Sequence, residues 1–215
     1  MEYGFEIVAV SMGPPQADTA LREALAMGVD KAYLVSDRAF GGADTWATSN
    51  TLAAAIKKIG YDLIIAGRQA IDGDTAQVGP QIAEILGLPQ VTYAQHIEKV
   101  DAENAFIVER QYEDRYQKIK IATPGLITAL SSLNTPRYMT VGGVVDAYDK
   151  EVKMLTFEDL KDFVDEANIG LKGSPTQVRK SYPKQVKAQG VKHEISDDDE
   201  AVDLIIAKLK EHYLI

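Results

Sequence analysis

Over the first part of the chain, short apolar runs alternate with longer stretches in which apolar residues recur every three or four positions. The short runs predict buried strands, and the periodic stretches predict helices with one apolar face. Strands are expected at 5–11, 31–36, 61–66 and 91–94, and helices at 18–27, 45–59 and 75–86. Uniformly apolar strands separated by helices indicate a parallel sheet with helices on its faces.

The pattern changes after residue 95. Residues 96–100 and 105–110 predict a hairpin around 101–104, and apolar residues alternate with polar ones over 116–123. Residues 125–130 are apolar again. We therefore expect an antiparallel excursion before the chain returns to the parallel sheet.

The last part of the chain, from Lys150 onward, is polar and ends in a predicted amphipathic helix at 201–214. A long segment with so little core of its own is either a mobile tail or an arm that lies on a partner. The closing helix favours the arm. The predicted organisation is an α/β domain at 1–149 and an arm at 150–215.

Charge and composition narrow the function classes. The formal net charge is −9, with 32 acidic and 23 basic residues, which argues against a nucleic-acid binder. The absence of cysteine excludes disulfides, thiolate metal sites and cysteine nucleophiles. The three histidines fall in unrelated segments, so we predict no histidine metal site. Neither a membrane span nor a signal sequence is visible, which leads us to expect a cytoplasmic protein.

The most informative stretch is 66–80, which follows a predicted strand and opens a helix. Open α/β sheets bind ligands at this place, and backbone N–H groups at a helix N-terminus suit a phosphate. Gly67 and Gly73 allow close backbone approach, while Thr75 can cap the helix or donate its hydroxyl. Asp72 and Asp74 are expected to bond local amides or face solvent. The stretch is neither a Walker loop nor a Gly-x-Gly-x-x-Gly fingerprint, so a capped helix without a ligand stays an alternative.

Two further residues have a functional and a plain interpretation. Met12, at the end of the first predicted strand, can pack on an adenine ring or simply fill the core. Arg68 can stand beside phosphates or a flavin, or lie on the surface. No nucleophile–base set is visible, so hydrolytic chemistry has no residues to carry it.

Three stretches resemble the beta-subunit family of electron transfer flavoproteins. They are Val-Ser-Met-Gly-Pro-Pro at 10–15 with 21–28, the stretch 66–80, and the series from 108–112 through 124–128 to Leu-Asn-Thr-Pro-Arg-Tyr at 133–138. The resemblance implies a three-layer, Rossmann-like α/β fold of the adenine nucleotide alpha hydrolase type, with a mostly parallel sheet. It also implies a larger alpha subunit as partner, clasped by the C-terminal arm. An electron carrier of this kind works only as the complex.

The family's nucleotide cleft holds AMP in simple carriers and a second FAD in the electron-bifurcating group. The sequences at 73–80 and 137–143 resemble those of the bifurcating group, and this resemblance favours FAD over AMP. On that resemblance NADH is the electron donor, and ferredoxin or flavodoxin and an acyl-CoA dehydrogenase are the acceptors. The resemblance places the cleft on Met12, Gly67, Arg68, Gln69, Ala70, Ile71, Asp72, Gly73, Asp74, Thr75, Ala76, Gln77, Val78 and Gly79.

The resemblance also implies a loop that recognises the dehydrogenase. It falls on Arg137, Tyr138, Met139, Thr140, Val141, Gly142, Gly143, Val144, Val145 and Asp146. Val141 stands where the family often has an exposed leucine, and its plain interpretation is a buried valine.

The chain departs from the family pattern at its beginning, because members usually have an inner strand upstream of the strand at 5–11. We expect the absence of that strand to leave unpaired backbone and exposed apolar surface. Two other functions stay open from the sequence. One is a stand-alone adenine-nucleotide-binding domain, and the other is a structural subunit with an empty cleft.

Overall fold

The computed structural model describes residues 4–100, 104–182, 190, 192–195 and 197–215. The chain divides into two compact units, Met1–Gln177 and Val178–Ile215. The strands are β1 Val8–Met12, β2 Lys31–Val35, β3 Leu63–Gly67, β4 Gln90–Val100, β5 Ala105–Gln111, β6 Tyr116–Ala122, β7 Gly125–Ala129 and β8 Val152–Leu155. The helices are α1 Asp18–Ala26, α2 Thr45–Ile59, α3 Val78–Leu86, α4 Val141–Asp149, α5 Phe157–Leu160 and α6 Asp198–Glu211.

The first sheet has the order β1-β2-β8, and all its strands are parallel. Alternate residues of β2 face opposite layers, as a pleated strand requires. Ala32 and Leu34 pack with α1 and with Ala147 of α4, whereas Val35 packs with α2 and α5. Helices therefore cover both faces, which confirms the predicted three-layer α/β fold.

The second sheet has the order β3-β7-β4-β5-β6. β7 is parallel to β3 and to β4, while β4, β5 and β6 are antiparallel neighbours. On one face Ile64 and Leu126 pack against α2 and α3, and the other face carries an apolar cluster of strand residues around Val108 and Ile127. The predicted antiparallel excursion is confirmed, with residues 101–103 of its turn outside the described residues.

The parallel strands are split between two sheets because β1 and β3 do not pair. In the described part of the chain, β1 is bonded only to β2, and β3 only to β7. Helix α2 packs on both: Ala54 and Ala55 lie in the cluster with Val10, and Ala53 lies in the cluster with Ile64. Ile65 of β3 is 57% exposed.

Several elements differ from the sequence prediction in their extent. The short strand expected at 91–94 is the first part of the longer β4. Near Ala94, the pairing of β4 with each of its two neighbours, β5 and β7, shifts register at a bulge. The segment after residue 149 joins the first unit, because β8 pairs with β2 and Leu155, Leu160 and Ile169 lie in the core. The boundary between the units therefore falls after Gln177 rather than after 149.

Asp44 links the start of α2 to Thr176, near the end of the first unit, through hydrogen bonds. Its carboxylate accepts hydrogen bonds from the amides of Trp46 and Ala47 and from the amide and hydroxyl of Thr176, at 2.7–3.1 Å. Partial burial opposes the charge on Asp44, but the hydrogen bonds from Thr176, Ala47 and Trp46 outweigh it. The pKa of Asp44 therefore lies below its usual value.

Replacing Asp44 with alanine is expected to lower the free energy of unfolding by about 1–2 kcal/mol at neutral pH, the usual worth of an N-cap. Because the folded-state pKa is depressed, this stabilisation is present above the unfolded pKa and is lost as the pH falls through the folded pKa. Urea unfolding from pH 7 to pH 3 measures it, with the exposed Asp62→Ala as control. A difference between wild type and Asp44→Ala that stays constant over this range would contradict the assignment.

The second unit contains α6, an amphipathic helix that begins at the N-cap Asp197. None of its residues is buried, and its apolar side chains Val202, Ile205 and Ile206 are exposed. The helix predicted at 201–214 is thus confirmed, and it presents apolar surface that the described part of its own unit leaves open. Among the described residues, no helix has the length and apolar character needed to cross a bilayer.

Candidate functional site

The loop between β3 and α3 lies at the carboxyl edge of the second sheet. Gly67 is the last residue of β3, and residues 68–77 lead into α3. Ile71 is fully exposed, and a Cβ on Gly67 or Gly73 would meet no atom within 4 Å. The loop therefore borders open space, with room for a ligand against its backbone.

Helix α3 begins later than the sequence predicts. Its first residue is Val78 and its N-cap is Gln77, so Thr75 lies in the loop and does not cap the helix. The Gln77 side chain makes no capping hydrogen bond, and the first helical bond runs from the Gln81 amide to the Gln77 carbonyl at 2.9 Å. The amides of Val78 and Gly79 thus precede the helical ladder and point out of it, which suits an anion.

The backbone before α3 has an unusual conformation. Asp74 and Ala76 have φ values of 49° and 54°, in the left-handed region that residues with a side chain seldom adopt. Alternation of left- and right-handed residues makes successive amides converge on one side, a concavity that binds anions. Asp72 accepts a hydrogen bond from the Gly73 amide at 2.8 Å, and Asp74 accepts one from the Gln69 side chain. Both carboxylates are engaged locally, as expected from the sequence.

Gly79 explains how close the helix comes to the sheet. A Cβ there would lie 2.8 Å from Cγ2 of Thr128 in β7 and 3.4 Å from Cβ of Ala66 in β3. The hydroxyl of the same Thr128 accepts the amide of Tyr93, a residue at φ 58° in the β4 bulge. The glycine therefore places the N-terminus of α3 directly on the strand ends.

Replacing Gly79 with alanine is expected to lower the free energy of unfolding by about 1–3 kcal/mol, because the added methyl overpacks a buried helix–sheet contact. Chemical unfolding of the purified protein measures this. Gly142→Ala in α4 is the matched control, since a Cβ there meets nothing within 4 Å and alanine favours a helix. Equal stability of the wild type and the Gly79→Ala variant would contradict the packing role. The result also matters for site tests, because a larger residue at 79 disturbs the fold itself.

Helix α2 contributes to the site, which the sequence does not reveal. Its first residue, Thr45, donates a hydrogen bond from its hydroxyl to the Gln77 side-chain oxygen at 2.8 Å. The buried Ser49 donates to the side-chain oxygen of Gln81 at 2.9 Å. These bonds bring the N-termini of α2 and α3 together at the carboxyl edge. Because the Asp44 carboxylate already caps α2, the uncapped amides there are those of α3. No motif marks the contact because its partners lie far apart in sequence.

Met12 and Arg68 are placed less decisively. Met12 ends β1 and is half-buried against the cluster of Val35 and Ala54, which favours its role as a core residue. Arg68 is exposed, and its amide continues the sheet pairing by donating to the Ala129 carbonyl at 3.1 Å.

Arg110 is a further residue that the sequence analysis does not single out. It lies in one row with Gly67, because the register pairs Gly67 with Ala129, Ala129 with Ala94 and Ala94 with Arg110. One guanidinium nitrogen donates to the Thr92 hydroxyl at 3.0 Å, but the buried Nε has no acceptor among the described residues. A buried donor without an acceptor is costly.

The second predicted surface, residues 137–146, is partly helical rather than a loop. It consists of an extended segment followed by the start of α4, which the hydroxyl of the N-cap Thr140 fixes by accepting the Gly143 amide at 3.0 Å. Val141 is 85% exposed, so the plain interpretation as a buried valine is wrong. Tyr138 is 95% exposed, and Val145 and Met139 are also exposed. The segment presents an apolar surface.

These features are typical of α/β domains that bind a ligand at the carboxyl edge of the sheet: glycines at the end of a parallel strand, uncapped amides at a helix N-terminus, and a second helix N-terminus beside them. The residues fit a cofactor with phosphate groups. Within the described ranges, no cluster of three or more metal-ligating His, Asp or Glu side chains occurs.

Comparison with known proteins gives the family. Residues 2–160 match the family described as electron transfer flavoprotein domain. The chain is 56% identical to the electron transfer flavoprotein subunit beta of Clostridium acetobutylicum, over 99% of this chain and 80% of that protein. It is 51% identical to the caffeyl-CoA reductase-Etf complex subunit CarD of Acetobacterium woodii, over 99% and 80%. It is 46% identical to the acryloyl-CoA reductase electron transfer subunit gamma of Anaerotignum propionicum, over 99% and 81%.

The chain belongs to the electron transfer flavoprotein family, as a beta subunit. Members of this family are associated with flavin, and beta subunits pair with an alpha subunit.

Proposed function

We propose that this beta subunit holds FAD in the cleft at the start of α3 and takes part in electron bifurcation. The observation that carries the proposal is the uncapped N-terminus of α3, reached by an open glycine-containing loop and joined to the start of α2 through Thr45 and Gln77. The likeness of 73–80 and 137–143 to the bifurcating group supports FAD over AMP. AMP remains the alternative, since its phosphate suits the same amides.

The chain's own residues bind and orient the cofactor. The amides of Val78 and Gly79 hold the diphosphate, and the left-handed Asp74 and Ala76 turn further amides toward it. Gly67 and Gly73 leave the space that the cofactor occupies. Bound FAD supplies the capacity to accept a hydride from NADH and to release its electrons singly. The protein's share is the charge and shape of the cleft.

The proposed electron acceptors are ferredoxin or flavodoxin on one side and an acyl-CoA dehydrogenase on the other. Two relatives carry the names of a caffeyl-CoA reductase-Etf complex subunit and of an acryloyl-CoA reductase electron transfer subunit, so both names refer to a reductase of an acyl-CoA. An enzyme of that chemistry is therefore the proposed docking partner of residues 137–146. The proposed donor is NADH, and the proposed location of the complex is the cytoplasm.

The second unit is proposed as the arm that packs on the alpha subunit. Helix α6 exposes Val202, Ile205 and Ile206, and burying such a stripe against a partner is the usual reason for an amphipathic helix without a core of its own. The proposed arm corresponds to the unit Val178–Ile215.

The decisive experiment is a cofactor count on the purified complex of beta and alpha subunits. Denaturation releases the cofactors, which are then quantified by absorbance after chromatography. Two flavins per heterodimer support the proposal. One flavin with one AMP assigns AMP to this cleft and removes bifurcation. One flavin and no second nucleotide leaves only a structural subunit.

A further inference from the structure

Helix α4 is a poor helix by its own sequence. Its residues Val141–Asp149 include two adjacent glycines and three valines, all of low helix propensity. A helix of this length is marginal in water even when its sequence is favourable. The contacts that order α4 must therefore come from outside the helix.

The start of α4 lies against the end of α1. A Cβ on Gly143 would lie 2.6 Å from the carbonyl oxygen of Ala26, so only glycine allows this approach. The buried Ala147, one turn further on, packs in the cluster that contains Leu21 and Leu25 of α1. One face of α4 is thus fixed on α1.

The end of α4 is held by Arg22 of α1. Its Nη1 donates to the carbonyl oxygens of Ala147 and Lys150, each at 2.6 Å, and its Nε donates to Asp18 at 3.2 Å. The guanidinium also lies 5.7 Å from the centre of the Tyr148 ring. The last turn of α4 has no basic residue of its own, so Arg22 supplies the cation that its carbonyls and dipole favour.

The face of α4 away from α1 carries an exposed apolar stripe. Val141, Val145 and Tyr148 stand at spacings of four and three residues, and all are exposed. This spacing puts them on one side of a helix, the pattern by which a helix enters an apolar groove on a partner. We call these three residues the docking stripe. Tyr148 extends it beyond the segment 137–146.

We propose that Arg22 is a positioning residue for the docking stripe: it fixes the last turn of α4 and the ring of Tyr148 so that the stripe meets the acyl-CoA dehydrogenase in one orientation. The inference rests on the proposed docking function of this surface. Arg22 itself faces α4 and not the partner. Its side chain is only 20% exposed.

The test compares Arg22→Met, which keeps the length of the side chain, with Arg22→Lys, which keeps the charge. The exposed Arg38→Met is the matched control. Two readouts are taken on the heterodimer with its alpha subunit. One is hydrogen exchange of the amides at 144–150. The other is electron delivery from NADH to a purified short-chain acyl-CoA dehydrogenase supplied with a 2-enoyl-CoA, with ferredoxin or flavodoxin present to accept the second electron of each pair. This delivery is resolved into KM for the dehydrogenase and kcat.

For Arg22→Met we expect exchange about tenfold faster at 144–150 and KM about five- to tenfold higher, because charge-assisted bonds to the last turn are lost. The kcat and the NADH-driven reduction of bound flavin should stay within about twofold, and Arg22→Lys should restore much of the KM. The control should match wild type.

The outcomes separate this inference from the proposed function. Unchanged exchange and unchanged KM in Arg22→Met, while Val141→Asp still weakens delivery, would overturn the role of Arg22 and leave the docking surface in place. Faster exchange with normal delivery in both variants would overturn the docking surface and with it this inference. If kcat and flavin content fall in Arg22→Met together with the change in KM, the variant is generally unfolded. That outcome would also overturn the inference about Arg22.

Discussion

Placing a carboxylate at position 75 is expected to empty the nucleotide cleft of this subunit. Thr75 is exposed in the loop before α3, so a glutamate fits without disturbing the core. Its charge stands beside the amides that are proposed to hold the phosphates. At close range in a partly solvated site, repulsion between two negative charges amounts to about 1–4 kcal/mol, a loss of affinity of tenfold or more.

The measurement is the nucleotide released by denaturing the purified Thr75→Glu complex. Thr75→Gln is the matched control, because glutamine has the shape of glutamate without its charge. This variant should keep its nucleotide. Position 75 is a better probe than 79, where even a methyl group would lie 2.8 Å from Thr128. Full nucleotide content in Thr75→Glu would remove the site assignment.

Charging the first residue of α4 should have the second large effect. Val141→Asp puts a carboxylate on a side chain that is 85% exposed, and it should raise the KM for the acyl-CoA dehydrogenase roughly tenfold or more. The positive end of the helix dipole favours an acidic residue in the first turn of a helix. The substitution therefore leaves α4 folded, and a loss of delivery reports on docking alone.

Val141→Leu is the conservative control, since it keeps an apolar side chain at the same place. The NADH-dependent reduction of the bound flavin should be normal in both variants. If Val141→Asp lowers flavin reduction and electron delivery equally, position 141 has no docking role.

Helix α1 follows β1, whose last residue Met12 lies at the carboxyl edge, and the same helix carries Arg22 to the end of α4. Helix α1 thus links the strand that ends at Met12 to the last turn of α4. Variants in α1 should be judged on both nucleotide content and delivery.

Local pattern determined much of the fold in advance. The helix at Thr45–Ile59 has the predicted bounds, because an aspartate N-cap, a periodic apolar face and a following glycine all agree there. The sequence also placed the candidate site, because a ligand loop must follow a parallel strand and open a helix. Helix and strand propensities cannot indicate a family or its expected cofactor. Those two came from the resemblance to the beta subunits of electron transfer flavoproteins.

The prediction failed where several weak signals competed. Thr75 is a good capping residue, yet α3 begins at Val78, because Gly79 has to lie against Thr128 and Ala66. Helix α4 was missed because its glycines and valines do not favour a helix, and contacts with α1 order it instead. Strand β8 was not predicted because it is short and reads as part of a polar segment.

By itself, the sequence determined the order of strands and helices as far as residue 130, the loop at 66–80 and the family, because these depend on residues close together in the chain or on motifs. Only the tertiary structure decided the rest. The pairing of Thr45 with Gln77, the bonds of Arg22 to α4, and the open edges of β1 and β3 join residues far apart in sequence. Such contacts form when packing brings distant elements together, and no local pattern encodes them.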